Sequence, residues 1–468
     1  MQRTCTLLSR SVAGTMASEG PETSQKGRSA VNVGPQTDWD AIVIGGGPAG
    51  SITAQRIAAA GHRVLLLERR TFPRFHIGES MLPYTAGILD QLGILGQFPE
   101  AEYPVKWGAE FTGPQGGFRR VDFTSQGGGR KEAAFQCERS QFDDVLLRNA
   151  EAAGARVLQE ARVLRVITDG GRIAGVRYAH DGAEHEARAR YVMDASGRAG
   201  VISHQHLRSR HSNEKLQMVA YYRHYTGVDE ATNPGVEGDI QVGNHDDGWL
   251  WAIPIHKDVL SVGAVTRAET VRGATPEAVF EEHLSRVPRI RCRVENVTSF
   301  TEVRGESDYC YYTDTLAGPG FFIVGDAGCF IDPVFSAGVY LAVVSGVRAG
   351  DCVNELLAGA PEEEVRAAYE NFYKTGYDCY TRLIYAFYDS NFNFGKYVQS
   401  LADLSVKIEG KWIARLLSGD FWSRLNPVAQ LLRDNRGYDT FKPFPVAYGC
   451  PVYPEIDAAE SAELARAR

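Results

Sequence analysis

Three absences narrow the field before any motif is read. No apolar run approaches the roughly 18 residues that cross a bilayer as a helix, so nothing points to a membrane-spanning protein. The eight cysteines, at 5, 137, 292, 310, 329, 352, 379 and 450, are scattered and form no C-x-x-C pair. That spacing argues against a zinc site and against a disulfide scaffold, and it fits a reducing cytoplasm. No metal-ligand constellation is read. There is also no basic surplus: 50 Lys and Arg stand against 58 Asp and Glu, a net charge of −8. A general nucleic-acid partner calls for the opposite sign.

What is present is ordinary globular material, 468 residues with 44% hydrophobic and 23% charged side chains. Residues 1–38 are rich in Ser, Thr, Gly and Gln and read as a disordered extension. The strongest signal follows in DAIVIGGGPAGSITAQRIAAAGHRVLLLE, Asp40 to Glu68. A short apolar strand meets Gly45, Gly47 and Gly50 in G-x-G-x-x-G spacing. A helical pattern and a second apolar strand then end on Glu68. Gly45 permits the tight turn, Gly47 lets a pyrophosphate approach the backbone, and Gly50 lets helix pack on strand. Glu68 is placed to accept from ribose hydroxyls. The unit predicts a bound dinucleotide.

Pro73 and Gly78 mark a loop beyond Glu68, and Pro83 opens a helical pattern through Leu95. Glu79 and Ser80 either cap that helix or face a ligand. Lys106 sits in a strand-like run between Val105 and Trp107. A strand lysine ordinarily faces solvent; buried, it is an amine of altered pKa and chemistry. Arg139 precedes a helix beginning near Ser140, as a surface arginine or as a cofactor contact. A strand-to-turn at Asp194–Gly197 comes next. From about 205 to 300 short alternating runs predict an inserted antiparallel sheet. Trp249 and Trp251 share one face of it. Phe321–Val324 then leads through Asp326 to an apolar helix starting near Ser336 or Gly338, whose amide end suits an anion. Beyond 358 the chain is helical and aromatic. Tyr373, Tyr377, Tyr380, Ile384 and Tyr388 line one helical face, as a packing layer or as caps on a substrate pocket. The last dozen residues look frayed.

Three motifs in order, GGGPAG with Glu68, DASG at 194–197 and GDAGCFIDPVFSAG at 325–338, resemble the FAD-dependent monooxygenase superfamily of the p-hydroxybenzoate hydroxylase fold. The resemblance spans roughly residues 39–390. It implies an α/β fold: a Rossmann-like FAD-binding domain (39–358) carrying the inserted substrate sheet (about 205–300), with a C-terminal helical region (359–468). It further implies that Ala49, Arg69, Arg139, Asp326 and Gly338 join Gly45, Gly47, Gly50 and Glu68 around FAD. Trp249-Leu250-Trp251-Ala252-Ile253-Pro254 matches the W-x-W-x-I-P signature of flavin-dependent halogenases. IGESMLP followed by VKWGAEF places Lys106 where that family keeps its catalytic lysine. IDPVFSAG places Pro333, Ser336, Ala337 and Gly338, with Trp249 and Trp251, beside the isoalloxazine and the halide.

The resemblance implies an enzyme that uses FADH2, O2 and chloride or bromide to form hypohalous acid. Lys106 would then direct the halogen onto an electron-rich aromatic natural-product precursor, phenolic or pyrrolic, free or carried on an acyl or peptidyl carrier protein. A separate NAD(P)H-dependent flavin reductase would supply FADH2. The tryptophan-halogenase branch looks more distant, because its active-site glutamate has no clear counterpart here. Alternatives on the same fold are a flavin hydroxylase and a prenyl reductase of the geranylgeranyl type. Ile253, where the reductases carry phenylalanine, favours the halogenase. A flavoprotein kept only as a scaffold has no support in the sequence.

Overall fold

The computed structural model describes residues 38–126, 131–307, 309–390, 396 and 409–466. Apart from Asp38, the 1–38 extension lies outside them. Strand β1 (Trp39–Ile44), helix α1 (Pro48–Ala59) and strand β2 (Val64–Leu67) form the unit read from the glycine motif. β1 pairs in parallel with β2 and with Ala183–Asp194, so that Ile44 lies level with both Leu67 and Asp194. Outward from these, Phe321–Ile323 pairs with Ala183–Asp194, and Arg156–Leu158 pairs with β2. Continuous apolar runs such as VLLL are what a parallel strand covered on both faces requires. The carboxyl ends of these strands share one edge, where open α/β sheets bind ligands.

Helix α1 packs closely against the apolar helix Ala337–Leu357. Small residues allow it: a Cβ on Gly346 would lie 2.7 Å from the Ala49 carbonyl oxygen. The second sheet runs Met218–Thr226, Val259–Arg267, Gly248–His256, Ile240–His245, Gly108–Thr112, Phe118–Asp122. It thus takes two strands from ahead of the 205–300 stretch, and Ile240–His245 meets Gly108–Thr112 in parallel. Period-two alternation divides the WLWAIP strand. Leu250 and Ala252 enter a small core with Phe280, Leu284 and Ile290. Trp249, Trp251 and Ile253 turn to the other face, the wall of a large cavity.

The tyrosine face lies on the helix Glu362–Asp389, and its rings are buried. Their hydroxyls donate to the carbonyls of Ile323 (from Tyr369, 2.8 Å), Gly325 (Tyr373, 2.7 Å), Phe330 (Tyr377, 3.2 Å) and Asp332 (Tyr380, 2.5 Å). Tyr388 donates to Asp332 Oδ2 at 2.7 Å. None of these tyrosines lines the cavity; the helix is a packing layer that clamps the segment 323–332 from behind. The frayed C-terminus is a correction: Pro454–Arg466 is helical. Ala, Glu, Leu and Arg are strong helix formers. Glu460, buried, accepts from Ser423 Oγ at 2.6 Å and ties this helix down.

Candidate active site

A cavity of about 1240 Å³ opens at the carboxyl ends of the parallel strands. Of the cofactor residues expected from sequence, Gly45, Gly47, Ala49, Glu68, Arg69, Arg139, Asp326 and Gly338 line it. Gly50 lies behind the wall, packed so closely that a Cβ there would sit 1.9 Å from the Gly45 carbonyl oxygen. Gly45 takes a φ of 103°, open to glycine at no cost. At Gly47 a Cβ would meet only Arg74 Nη2, at 3.5 Å.

The polar groups here fit a dinucleotide. No side chain caps the N-terminus of α1, which leaves its first amides directed at the cavity beside Arg74. Glu68 accepts from Gly46 N–H at 2.7 Å through Oε2 and from Arg70 N–H at 2.9 Å through Oε1. Each oxygen keeps a lone pair for a ribose hydroxyl. Arg139 lines the cavity but is largely engaged: Asp143 takes its Nε and Nη2 at 2.7 and 3.0 Å, and the Ile77 carbonyl takes Nη1 at 2.9 Å. It braces the 77–78 turn, while Arg74, which the sequence did not single out, stands by the glycine turn.

Burial pushes the Asp326 carboxyl up to about 6, against the pull of Arg139 and Arg198. A hydroxyl donor from a cofactor would favour its charged form. In the cofactor-free protein a raised folded pKa means that ionisation opposes folding. The carboxyl's favourable contribution is complete below its ordinary value of 3.8 and lost as pH rises through about 6. Asp326→Asn is therefore expected to stabilise the cofactor-free protein above that pH by about 1–2 kcal/mol, at ~1.4 kcal/mol per unit discounted for the open cavity. The same change should weaken FAD binding. Thermal unfolding between pH 4 and 8, with a flavin titration, checks both.

At the inner end the wall is Glu79, Ser80, Tyr222, Trp249, Trp251 and the Pro333–Gly338 turn. Pro333, Ser336 and Gly338 line it, whereas Ala337 is buried behind. Ser336 holds a left-handed φ of 59° at the start of its helix. A non-glycine residue there costs about 1–3 kcal/mol, a strain typical of functional turns. Trp249 Nε1 donates to Tyr388 Oη at 3.1 Å, and Tyr388 in turn holds Asp332. Trp251 Nε1 donates to Ser261 Oγ at 3.2 Å. Both indoles are thereby fixed in orientation. Among the described residues that line the cavity there is no cysteine and no methionine.

Lys106 is 1% exposed and lies one side chain behind this wall. Its Nζ donates to Ser80 Oγ at 2.9 Å and to the Met81 carbonyl at 3.0 Å. Burial lowers its pKa to about 7, with Asp239 pulling the other way. Ser80 does not cap the following helix; Leu82 is its N-cap, without a side-chain bond. Glu79 does not cap it either, and pairs with His224. Nothing in the spacing of Glu79 and His224 joins them; only the fold of the inserted sheet does.

A glycine-turn βαβ unit, an anion-ready helix end and a fixed aromatic wall define a nucleotide-cofactor oxidoreductase. The tryptophan halogenase family model matches residues 40–124 and 122–400. The tryptophan 2-halogenase of Chondromyces crocatus is 35% identical over 368 residues, covering 75% of this chain and 68% of its own. The sulochrin halogenase of Aspergillus terreus is 32% identical over 372 residues, covering 73% and 67%. This chain thus spans about two thirds of the length of these relatives. Among solved structures, the flavin-dependent brominase Bmp2 matches at TM-score 0.75 and 28% identity, over 84% of this chain and 97% of that one. The myxobacterial chondrochloren halogenase CndH matches at 0.71 and 32%, over 91% and 97%.

The chain belongs to the tryptophan halogenase family, whose members are flavin-dependent halogenases using FADH2, halide and O2. The tryptophan branch, expected to be the more distant, supplies the family model and a relative no further away than the sulochrin enzyme. The described residues contain no helix long and apolar enough to span a membrane and no cluster of metal-ligating side chains. No disulfide joins the seven cysteines among them.

Proposed function

We propose that this protein is an FADH2-dependent halogenase that forms hypohalous acid from chloride or bromide and O2, and delivers the halogen through Lys106 to an electron-rich aromatic precursor. The precursor is phenolic or pyrrolic and is either free or held on an acyl or peptidyl carrier protein. A separate NAD(P)H-dependent flavin reductase supplies the reduced cofactor, and the setting is cytoplasmic.

The observation that carries the reading is Lys106: fully buried, fixed by Ser80 and Met81, and near neutral pKa. The residues that would hold FAD are the α1 amides with Gly45 and Gly47, Glu68, Arg69, Arg74, Arg139 and Asp326. Bound in reduced form, FAD would supply two of the four electrons that O2 takes up, the halide giving the other two. The protein orients and excludes water. Trp249 and Trp251 are held rigidly by their N–H bonds and narrow the inner end. Ser80 occupies the boundary between cavity and lysine. At neutral pH the Lys106 amine is partly unprotonated, so its lone pair can take the halogen as a haloamine. Protonated, it holds hypohalous acid by hydrogen bonding. A ring held in place beyond it is then halogenated at one position.

The test is a mass spectrum of products from the protein with FAD, flavin reductase, NADH, air, chloride and bromide. Phenols and pyrroles are offered free and on a carrier protein. A product with a chlorine or bromine isotope pattern is expected. A product heavier by one oxygen, or NADH oxidation by the protein alone, replaces the reading with hydroxylation.

A further inference from the structure

The Glu79–His224 pair is unused by the reading above, yet it opens on the same cavity. Glu79 and Ser80 are consecutive and both line the wall, but their side chains serve different neighbours. Ser80 meets Lys106. Glu79 Oε1 lies 2.7 Å from His224 Nε2, with the carboxylate wholly buried and the imidazole slightly open. Neither Glu79 oxygen, nor His224 Nε2, makes a hydrogen bond of good geometry within the protein, so the approach is an ion-pair contact that leaves both carboxylate oxygens open to a partner. A buried carboxylate oxygen left unsatisfied at a cavity wall is costly unless the cavity brings it a partner.

Halide oxidation needs what this pair can give. The net step is FADH2 + O2 + X⁻ + H⁺ → FAD + HOX + H2O. Two electrons leave the halide and two leave the reduced flavin, dioxygen takes all four, and one external proton is consumed. We propose that Glu79 delivers that proton into the cavity and that His224 recharges it from the solvent side. Resting on the halogenase reading, this makes Glu79 a catalytic acid and His224 a relay acting through it.

The surroundings suit the role. His224 follows Tyr222 by two on the strand Met218–Thr226 and shares its face of the sheet; Tyr222 lines the cavity, and His224 sits behind Glu79. The Phe75 ring lies 5.9 Å away, and Thr301 Oγ1 accepts from the His224 backbone N–H at 3.1 Å. The charges facing the imidazole are Glu79 and Glu138, which favour its cation, and Arg304, which opposes it. Burial lowers its pKa and the contact with Glu79 raises it, with a net rise that keeps it protonated to higher pH. Tyr222 and the buried Cys137 thiol neighbour the carboxylate. Lys106 faces the charge of Asp239 instead.

The test uses full-length protein with Glu79→Gln and His224→Gln, both of which keep size and hydrogen bonding. The first readout needs no turnover: histidine ¹⁵N NMR titration of cofactor-free protein. The His224 pKa should fall by about one unit or more in Glu79→Gln; an unmoved value overturns the pairing. The second is the ratio of halogenated product to flavin oxidised, followed against pH. Wild type should hold its ratio to higher pH. Glu79→Gln should lower it at least tenfold at all pH, and His224→Gln should lower it most at alkaline pH, where bulk protons are scarce. Wild-type profiles in both variants overturn the relay and leave the halogenase standing. A wild-type protein that makes no halogenated product fails the halogenase reading itself, which the NMR titration does not touch.

Discussion

Lys106→Ala is expected to reduce halogenated product to below about 1% of wild type while O2-dependent oxidation of reduced flavin continues. The amine is buried and tied to the cavity wall through Ser80 Oγ at 2.9 Å. Loss of roughly 3 kcal/mol of transition-state stabilisation corresponds to that hundredfold. Stability gives an independent check. A folded pKa lowered from 10.5 to about 7 means that folding expels a proton. The penalty is absent above the unfolded value, grows as pH falls toward 7 and is constant below. Lys106→Met, which keeps the volume, should therefore raise the melting temperature most at or below pH 7 and least above pH 10. The gain expected is about 2–4 kcal/mol, since each unit is worth ~1.4 kcal/mol and the lost bonds to Ser80 and the Met81 carbonyl offset part of it. Product retained in Lys106→Ala removes the lysine from the mechanism.

The second large effect is expected at Gly47. Its φ of −70° and ψ of −176° suit any residue, and a Cβ would find only Arg74 Nη2, at 3.5 Å. The protein has no need of glycine here; a pyrophosphate lying on the α1 amides does. Gly47→Val should keep the melting temperature of the cofactor-free protein within about 1 °C and weaken FAD binding at least a hundredfold, or ~2.7 kcal/mol. Flavin fluorescence titration measures it. Gly50→Ala is the contrast, because a methyl 1.9 Å from the Gly45 carbonyl must disturb the fold itself. Unchanged flavin affinity in Gly47→Val would move the cofactor away from this turn.

How much of this was readable depended on sequence distance. The βαβ unit is local: three glycines, two apolar strands and Glu68 lie within one stretch, and the structure builds them as spaced. The face shared by Trp249 and Trp251 follows from a period of two and needed no tertiary information. By contrast, Arg139 reads as a cofactor arginine, yet Asp143, four residues on, occupies much of its guanidinium. Glu79 and Ser80 stood between capping and ligand. Only the approach of Lys106 from one strand and His224 from another decides it, and no local pattern carries that information. The tyrosines Tyr373, Tyr377 and Tyr380 show the same limit: spacing put them on one face, while what they clamp depends on carbonyls some fifty residues earlier.

An enzyme that makes an electrophilic halogen is also its own nearest target. Thiols and thioethers are the side chains most readily lost to oxidants, and among the described residues the wall of this cavity presents neither. Cys137, Cys310 and Cys329 are near in sequence to the wall but buried. The remaining electron-rich rings there are Tyr222, Trp249, Trp251 and Tyr309. Wear over many turnovers is therefore expected at those rings before sulfur, and should first register in peptide mass spectra as halogen or oxygen added to tryptophan.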